Sequence, residues 1–179
     1  MNKSVFHFLC VDDEEDDAFF FTRALNNHSK QAVAHWVSSG QIAMEYLMDD
    51  SKPLPNLIIC DINMPAMTGF EFLKWIRASP FRKIPVVMLS GSTLPVDVDT
   101  AFDLGANAYI GKSVLTSERG KVVERIVEFW CETSTLPSIR KEMLGLTRNS
   151  SDSLSGFTHF PSPAAPPRMA TPVGTRAED

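Results

Sequence analysis

The sequence contains no hydrophobic run long enough to span a membrane and no excess of positive charge. A membrane-spanning helix needs roughly 18 or more apolar residues in succession, and no segment approaches that length. The apolar N-terminal run ends in acidic residues rather than in a small-residue cleavage site, so we expect a cytoplasmic protein that is not secreted. The formal net charge of -5 argues against a surface that coats nucleic acid. These absences predict a protein that binds neither membranes nor nucleic acid.

Cysteine is also scarce, and no pair of cysteines has the spacing of a metal site or a disulfide framework. The three cysteines are Cys10, Cys60 and Cys131, an odd number without a repeated interval. Cys10 and Cys60 lie inside apolar segments, where cysteine behaves as a small hydrophobic residue. This pattern fits a reducing cytoplasm.

The apolar pattern alternates between short buried runs and longer stretches with helical spacing. Strands are predicted at 5–11, 32–37, 57–61, 84–89 and 107–111, and helices at 16–27, 38–49, 68–79, 95–104 and 117–132. Ser38 with Gln41, and Thr68 with Glu71, have the spacing of capping boxes at helix starts. Five repeats of strand then helix predict a parallel sheet with helices on both faces and right-handed crossovers.

The composition changes after Cys131. Residues 149–179 contain five prolines, Pro161, Pro163, Pro166, Pro167 and Pro172, and few apolar side chains. Such a segment cannot bury enough surface to offset the entropy of ordering it. We therefore expect one domain over residues 1–132 and a C-terminal extension over residues 133–179 that is mostly disordered.

Charged and polar residues follow four of the five predicted strands. Asp12 and Asp13 follow the first, Asp61 ends the third, Ser90 follows the fourth and Lys112 ends the fifth. Since the carboxyl ends of parallel strands meet at one edge of the sheet, we expect these side chains to lie together. Each residue alone has an ordinary explanation, such as a turn or a solvated charge. Their joint placement around one carboxylate is what indicates a site.

The charges of this group predict a divalent cation. Three carboxylates and one ammonium leave a formal charge of about -2, which is unfavourable crowding unless a cation is bound. Oxygen ligands select a hard ion, and Mg²⁺ uses one or two carboxylates together with a phosphate oxygen. A carboxylate beside Mg²⁺ and lysine can accept a phosphoryl group, and the Ser90 hydroxyl can donate a hydrogen bond to it.

The residues at this edge resemble those of the receiver domains of two-component response regulators. The resemblance covers about residues 4–132 and is carried by Val11-Asp12-Asp13, Asp61-Ile62-Asn63-Met64-Pro65, Ser90-Gly91, Tyr109 and Lys112. It implies a flavodoxin-like α/β fold with five parallel strands in the order 2-1-3-4-5 and helices on both faces.

The resemblance also implies roles for these residues. Asp61 would be the phospho-acceptor, and Mg²⁺ would be held by Asp13, Asp61 and the Asn63 carbonyl, with Asp12 acting through water. The residues that read the phosphoryl group would be Ser90, Lys112 and Tyr109. Tyr109 is expected to turn inward from solvent when Ser90 is drawn towards the phosphoryl group.

The function implied is that of a stand-alone regulator rather than an enzyme that turns over substrates. A histidine kinase or phosphotransfer protein would supply the phosphoryl group, and a downstream protein target would receive the signal. Phe129-Trp130 and Leu136-Pro137 resemble the single-domain regulators that partner phytochrome-type histidine kinases. The surface of the fourth helix, fifth strand and fifth helix is expected to change on phosphorylation, leading either to a homodimer through this surface or to the docking of a partner.

Two alternatives from other classes are weighed against this interpretation. An aspartyl-phosphate phosphohydrolase would need a second acid two residues after the nucleophile, and that position is Asn63. A pseudo-receiver that binds partners without phosphorylation stays open, because Ser113 replaces the proline that usually follows the lysine in the family. His7, His28 and His35 lack metal-ligand spacing, and Trp36 and Trp75 are interpreted as packing residues.

Overall fold

The structure is a computed structural model that describes residues 5–28 and 32–137. Its sheet has five parallel strands in the order β2-β1-β3-β4-β5, which confirms the predicted fold class and strand order. The elements in chain order are β1 (Phe6–Val11), α1 (Glu15–His28), β2 (Ala32–Val37), α2 (Gly40–Met48), β3 (Leu57–Asp61), α3 (Gly69–Ala78), β4 (Val86–Ser90), α4 (Pro95–Asp103), β5 (Ala108–Gly111) and α5 (Lys112–Val127), followed by a π-helix (Glu128–Thr133). Among the described residues, no helix has the length and apolar character needed to cross a membrane.

The central strand β3 separates two hydrophobic layers, and every one of its residues is buried. Ile58 and Cys60 pack in the layer that contains the buried residues of α2 and α3. Leu57 and Ile59 pack in the opposite layer with those of α1 and α5. Because successive side chains of a strand point to opposite faces, a continuous apolar run is what a strand covered on both sides requires. Asp61, at the end of this strand, is thereby brought to the carboxyl edge of the sheet.

Of the two predicted helix caps, the one at the start of α2 is wrong and the one at the start of α3 is confirmed. The N-cap of α2 is Ser39, whose hydroxyl accepts a hydrogen bond from the Ile42 N–H; the predicted Ser38–Gln41 capping box is wrong by one residue. The capping box of α3 is confirmed, because Thr68 accepts from the Glu71 N–H while the Glu71 carboxylate accepts from the Thr68 N–H. Capping satisfies backbone donors at a helix start and fixes where the helix begins.

The last helix begins earlier than predicted. We expected it to start near Ser117, but α5 starts at Lys112, directly after β5. A residue that precedes proline is biased away from helical conformation, and Ser113 imposes no such restriction on Lys112. No cis peptide bond occurs in the described residues. Lys112 therefore enters the site from the first turn of a helix rather than from a loop.

The chain after α5 forms the π-helix, in which Phe129 and Trp130 pack edge to face with ring centroids 5.1 Å apart. Trp130 packs against the core layer of α1 and α5, whereas Phe129 is 53% exposed. The predicted domain boundary at residue 132 falls one residue before the end of this helix and stays a prediction. Residues 138–179, most of the predicted extension, lie outside the described residues.

At the amino-terminal end of β4 and β5, Arg77 of α3 ties two loops together. Its guanidinium donates hydrogen bonds to the carbonyl oxygens of Arg82, Ile84 and Gly105 and to the Asn107 side-chain oxygen, at 2.9–3.0 Å. The same Asn107 oxygen accepts from the Val86 N–H. These hydrogen bonds fasten the amino-terminal edge of the sheet, which lies opposite the carboxyl edge that carries the acids.

Candidate phosphoryl-acceptor site

Three carboxylates meet at the carboxyl edge of the sheet. One oxygen from each of Asp12, Asp13 and Asp61 lies within 4.8 Å of the others. Asp12 and Asp61 are only 5% and 4% exposed, whereas Asp13 is exposed. The structure therefore brings together the three acids that the sequence selected, with two of them shielded from water and one open to it.

Asp61 is held by the backbone on both sides. Its strand continues through the Ile62 N–H, which donates to the Leu89 carbonyl oxygen, and the Gly69 N–H closes the following loop onto the Ile62 carbonyl oxygen at 2.9 Å. Gly69 lies so close that a Cβ placed on it would be 2.1 Å from the Asp61 carbonyl oxygen. Within the loop, Ala66 has a φ of 67°, a left-handed conformation that costs energy for a residue with a side chain. The loop after β3 is tightly constrained around the acceptor carboxylate.

Asp12 is fixed by β2 through its backbone and by its own loop through its side chain. Its N–H donates to the Val37 carbonyl oxygen at 3.1 Å, and its carbonyl oxygen accepts from the Trp36 indole N–H at 2.9 Å. Its side chain accepts from the Glu14 N–H at 3.0 Å. Sequence reasoning treated Trp36 as a packing residue and missed this bond. Since an indole N–H donates in a defined direction, Trp36 holds the loop that carries Asp12 and Asp13.

Lys112 places its ammonium among the carboxylates. The Nζ atom lies 3.0 Å from Asp12 Oδ2, 3.2 Å from Asp17 Oδ2 and 3.4 Å from Asp61 Oδ1, and the lysine side chain is 17% exposed. Asp17 is a residue of this site that was not predicted from the sequence. Its position five residues after Asp12, within the first turn of a helix that follows β1, was the available signal.

Burial and charge shift the protonation of these groups in opposite directions. Burial raises the pKa of Asp12 and of Asp61 above its ordinary value, and the favourable charge of Lys112 offsets this only in part. Burial alone would lower the pKa of Lys112, but its hydrogen bond to Asp12 and the charges of Asp12 and Asp61 raise it above the usual value. The lysine is therefore the permanently charged member of the group.

The carboxylate group fits a hard divalent cation. The Oδ1 atom of Asp61 is buried and makes no hydrogen bond among the described residues; its contact with Lys112, at 3.4 Å, is longer than a charge-assisted hydrogen bond. A buried carboxylate oxygen without a partner is costly. A cation coordinated by oxygen atoms of Asp12, Asp13 and Asp61 would satisfy it, and such ligands suit Mg²⁺, Mn²⁺ or Ca²⁺.

The other predicted residues lie on the neighbouring strands and loops. Ser90 ends β4, is fully buried, and its hydroxyl oxygen accepts from the Ser92 N–H at 3.0 Å. Tyr109 of β5 donates from its hydroxyl to the Ser92 carbonyl oxygen at 2.8 Å. The expectation that Tyr109 starts in solvent is wrong, because it is half-buried and already bonded to the loop. Asn63 is exposed in the loop after β3.

Comparison with known proteins gives one family and several relatives. The profile described as "Response regulator receiver domain" matches residues 8–124. The response regulator Rcp1 of Synechocystis sp. is 33% identical over 135 residues, which are 73% of this chain and 92% of that protein. The two-component response regulator ORR11 of Oryza sativa subsp. indica is 34% identical over 122 residues, 68% of this chain and 80% of that protein.

Two solved structures share both fold and sequence with this chain. The Mn²⁺-bound form of Rcp1 superposes with a TM-score of 0.69 at 33% identity, over 74% of this chain and 99% of that one. The phosphorylated cyanobacterial phytochrome response regulator RcpA superposes with a TM-score of 0.69 at 35% identity, over 75% of this chain and all of that one.

Proposed function

Because the chain belongs to the response regulator receiver domain family, we propose that it is a regulator that accepts a phosphoryl group on Asp61. The observation that carries this proposal is the pairing of a shielded acceptor carboxylate with a lysine and two further acids at one sheet edge. The protein acts as a signalling component rather than as an enzyme that turns over substrates. A histidine kinase or a phosphotransfer protein supplies the phosphoryl group.

The transfer is a displacement at phosphorus. An Asp61 carboxylate oxygen forms a bond to phosphorus as the bond to the donor's nitrogen or oxygen breaks, and the leaving group takes the electron pair. Asp12, Asp13, Asp61 and the Asn63 carbonyl would hold Mg²⁺, which supplies positive charge to the phosphoryl oxygens when bound. The similarity to Mn²⁺-bound Rcp1 supports a divalent cation here.

The chain's own residues position and neutralise the group that arrives. Lys112 carries a permanent charge 3.4 Å from the Asp61 carboxylate, so it pairs with a phosphoryl oxygen after transfer. Ser90 accepts one hydrogen bond from the Ser92 N–H, and its own O–H, which that bond does not use, can donate to a phosphoryl oxygen. The buried surroundings of Asp61 exclude water, which strengthens each of these interactions.

The signal leaves the site through the loop after β4. Ser92 connects the two switch residues, since its N–H donates to Ser90 and its carbonyl oxygen accepts from Tyr109. A Ser90 hydroxyl drawn towards the phosphoryl group therefore changes the loop to which Tyr109 and the start of α4 are attached. We expect the surface of α4, β5 and α5 to bind a downstream protein or a second copy of the chain, because it exposes Leu94, Val96 and Phe102.

The similarity to RcpA, a phosphorylated phytochrome response regulator, supports a phytochrome-type histidine kinase as the donor. The exposed Phe129 beside Trp130 is a suitable aromatic anchor for such a contact or for a homodimer. Both partner assignments are part of the proposal.

Intact-mass measurement after incubation with a small phosphodonor and Mg²⁺ tests the proposal. Wild type should gain one phosphoryl mass, and Asp61→Asn should gain none, because an amide is not the required nucleophile. Asp99→Asn, which removes an exposed acid of α4, is the matched control and should be phosphorylated like wild type. Metal binding without any phosphorylation of wild type would instead support the pseudo-receiver alternative.

A further inference from the structure

Three carboxylates compete for one ammonium in this site, and the acceptor is the most distant of them. Lys112 Nζ is 3.0 Å from Asp12 and 3.2 Å from Asp17 but 3.4 Å from Asp61. Asp61 Oδ1 has no hydrogen bond among the described residues. The lysine Nζ therefore lies closer to Asp12 and to Asp17 than to the acceptor carboxylate of Asp61.

We propose that Asp17 is a positioning residue that restrains Lys112 and thereby weakens the hold of the site on the phosphoryl group of Asp61. The inference rests on the proposed function, because it concerns the regulation of the same site. This role of Asp17 differs from that of Asp12. Asp12 belongs to the carboxylate group that would hold the cation, and Asp17 lies outside that group.

The position of Asp17 is set by packing rather than by chance. Asp17, Phe21 and Leu25 follow one another at intervals of four on α1, so they share one face of the helix. Phe21 and Leu25 are 7% and 0% exposed and belong to the core layer that α1 shares with α5. With these two anchored, Asp17 is held next to the first residue of α5, which is Lys112.

The local charges favour this arrangement. Asp17 lies in the acidic first turn of α1, where negative charge complements the positive end of the helix dipole. Its side chain is 32% exposed, compared with 7% for Asp12, so it keeps a share of hydration that a buried carboxylate lacks. The desolvation cost of Asp17 beside Lys112 is therefore smaller than that of Asp12.

Phosphorylation sets up a direct competition. A phosphoryl group adds about -1.5 to -2 charge and three strong acceptor oxygens next to Asp61, so it attracts the same three N–H donors that Lys112 offers to Asp12 and Asp17. To pair with the phosphoryl oxygens, Lys112 must give up part of its contact with Asp17. Replacing Asp17 by an uncharged isostere removes that opposing interaction and should strengthen the binding of a phosphoryl group or its mimic.

A metal-free measurement first tests whether Asp17 and Lys112 interact. Urea midpoints are compared for wild type, Asp17→Asn, Lys112→Gln and the double variant, all without added cation. If the pair exists, Asp17→Asn lowers the midpoint in wild type and changes it much less when Lys112→Gln is present. Additive effects of the two substitutions would contradict the contact and with it the proposal.

The second measurement is the affinity for beryllofluoride, the phosphoryl mimic, with Mg²⁺ at a fixed saturating concentration. Tryptophan fluorescence or calorimetry follows the titration. Asp17→Asn should bind the mimic about three- to fivefold more tightly than wild type, as expected for loss of one partly exposed ion pair. Asp16→Asn, which removes the same charge from the neighbouring exposed position of the same helix turn, should change the affinity less than twofold.

The outcomes separate the two proposals. If wild type and both variants fail to bind the mimic, the proposed function is wrong. If wild type binds it but Asp17→Asn binds no more tightly than Asp16→Asn, Asp17 does not restrain Lys112 and the inference is wrong. Because salt screens the distant charge of Asp16 more than the contact of Asp17, the difference between the variants should persist at high ionic strength.

Discussion

Substituting Gly69 by alanine should damage the acceptor site more than the fold. The new Cβ would lie 2.1 Å from the Asp61 carbonyl oxygen, 2.9 Å from the Asp61 carbonyl carbon and 2.9 Å from the Ile62 Cα. All three atoms belong to the backbone, so no side chain can rotate away to relieve the overlap. The chain must move either the start of α3 or the end of β3.

The size of the effect follows from the distances. Carbon and oxygen atoms in favourable contact are about 3.3–3.6 Å apart, so Asp61 or Gly69 must shift by about 1 Å. Overpacking of this kind costs roughly 1–3 kcal/mol, and the helix preference of alanine over glycine returns roughly 0.5–1 kcal/mol. We expect a net loss of about 0–2.5 kcal/mol in the free energy of unfolding.

The same shift is large for a cation site. Coordination distances tolerate about 0.2 Å, so a 1 Å displacement of Asp61 should weaken divalent cation binding by at least about tenfold, the range seen when the support of a ligand is disturbed. Urea unfolding gives the first quantity and cation titration gives the second. The control is Gly91→Ala, since a Cβ on Gly91 meets nothing within 4 Å although the residue directly follows β4 at the same edge.

Gly91→Ala should leave both quantities close to those of wild type. If Gly69→Ala matches Gly91→Ala in stability and in cation affinity, the close approach of α3 to Asp61 is not rigid and the reasoning fails. If stability falls while cation affinity is kept, the overlap is relieved on the side of α3, and Asp61 is held more firmly than we infer.

Two further predictions concern residues near the site and at the opposite end of β1. Trp36→Phe replaces the indole by a smaller aromatic ring and removes the N–H that donates to the Asp12 carbonyl oxygen. Because one hydrogen bond is worth about 0.5–1.5 kcal/mol, cation affinity should fall about two- to tenfold, whereas Trp75→Phe should leave it unchanged. His7 and His35 share a ring hydrogen bond of 3.1 Å, and burial lowers the pKa of each. The unfolded chain therefore binds more protons below about pH 6.5, and stability contributed by the pair is complete above that pH and lost as the pH falls. His35→Gln should flatten the decline of the urea midpoint between about pH 6.5 and 5, and an unchanged slope would exclude the pair as its source.

The parallel sheet and its acidic edge could be predicted because they depend on patterns that are local in the chain, whereas the strand order came from the resemblance to receiver domains. The run from Leu57 to Cys60 is apolar at every position, which specifies a strand covered on both faces. An acid that ends such a strand has to emerge at the carboxyl edge. Asp12, Asp13 and Asp61 could therefore be placed together before any distance was known.

The direction of Lys112 could not be predicted in the same way. It depends on where α5 begins and on which carboxylates α1 carries to the site, and both are consequences of packing between helices distant in sequence. Asp17 looks like its acidic neighbours in the chain, and only the burial of Phe21 and Leu25 separates its face of α1 from that of Asp16. Helical periodicity was visible, but the point of contact with α5 was not.

The bond from Trp36 to Asp12 was missed for a related reason. Trp36 lies opposite Cys10 in the register of β1 and β2, so its indole reaches the loop that follows β1. A tryptophan that is 40% exposed on an edge strand gives no sign in the sequence of where its N–H points. The contact between Trp36 and Asp12 depends on the pairing register of β1 and β2, which the composition of the chain does not reveal.

The hydrogen bonds donated by Arg77 limit how the elements at the amino-terminal edge of the sheet can move. Arg77 fastens the carbonyl oxygens of Ile84 and Gly105, and Asn107 is bonded to Val86 through both its backbone N–H and its side chain. These hydrogen bonds therefore hold three segments together as one unit: the amino-terminal ends of β4 and β5 and the chain just beyond α4. We therefore expect a displacement that starts at Ser90 to move the start of α4, near Leu94, more than its end, near Gly105.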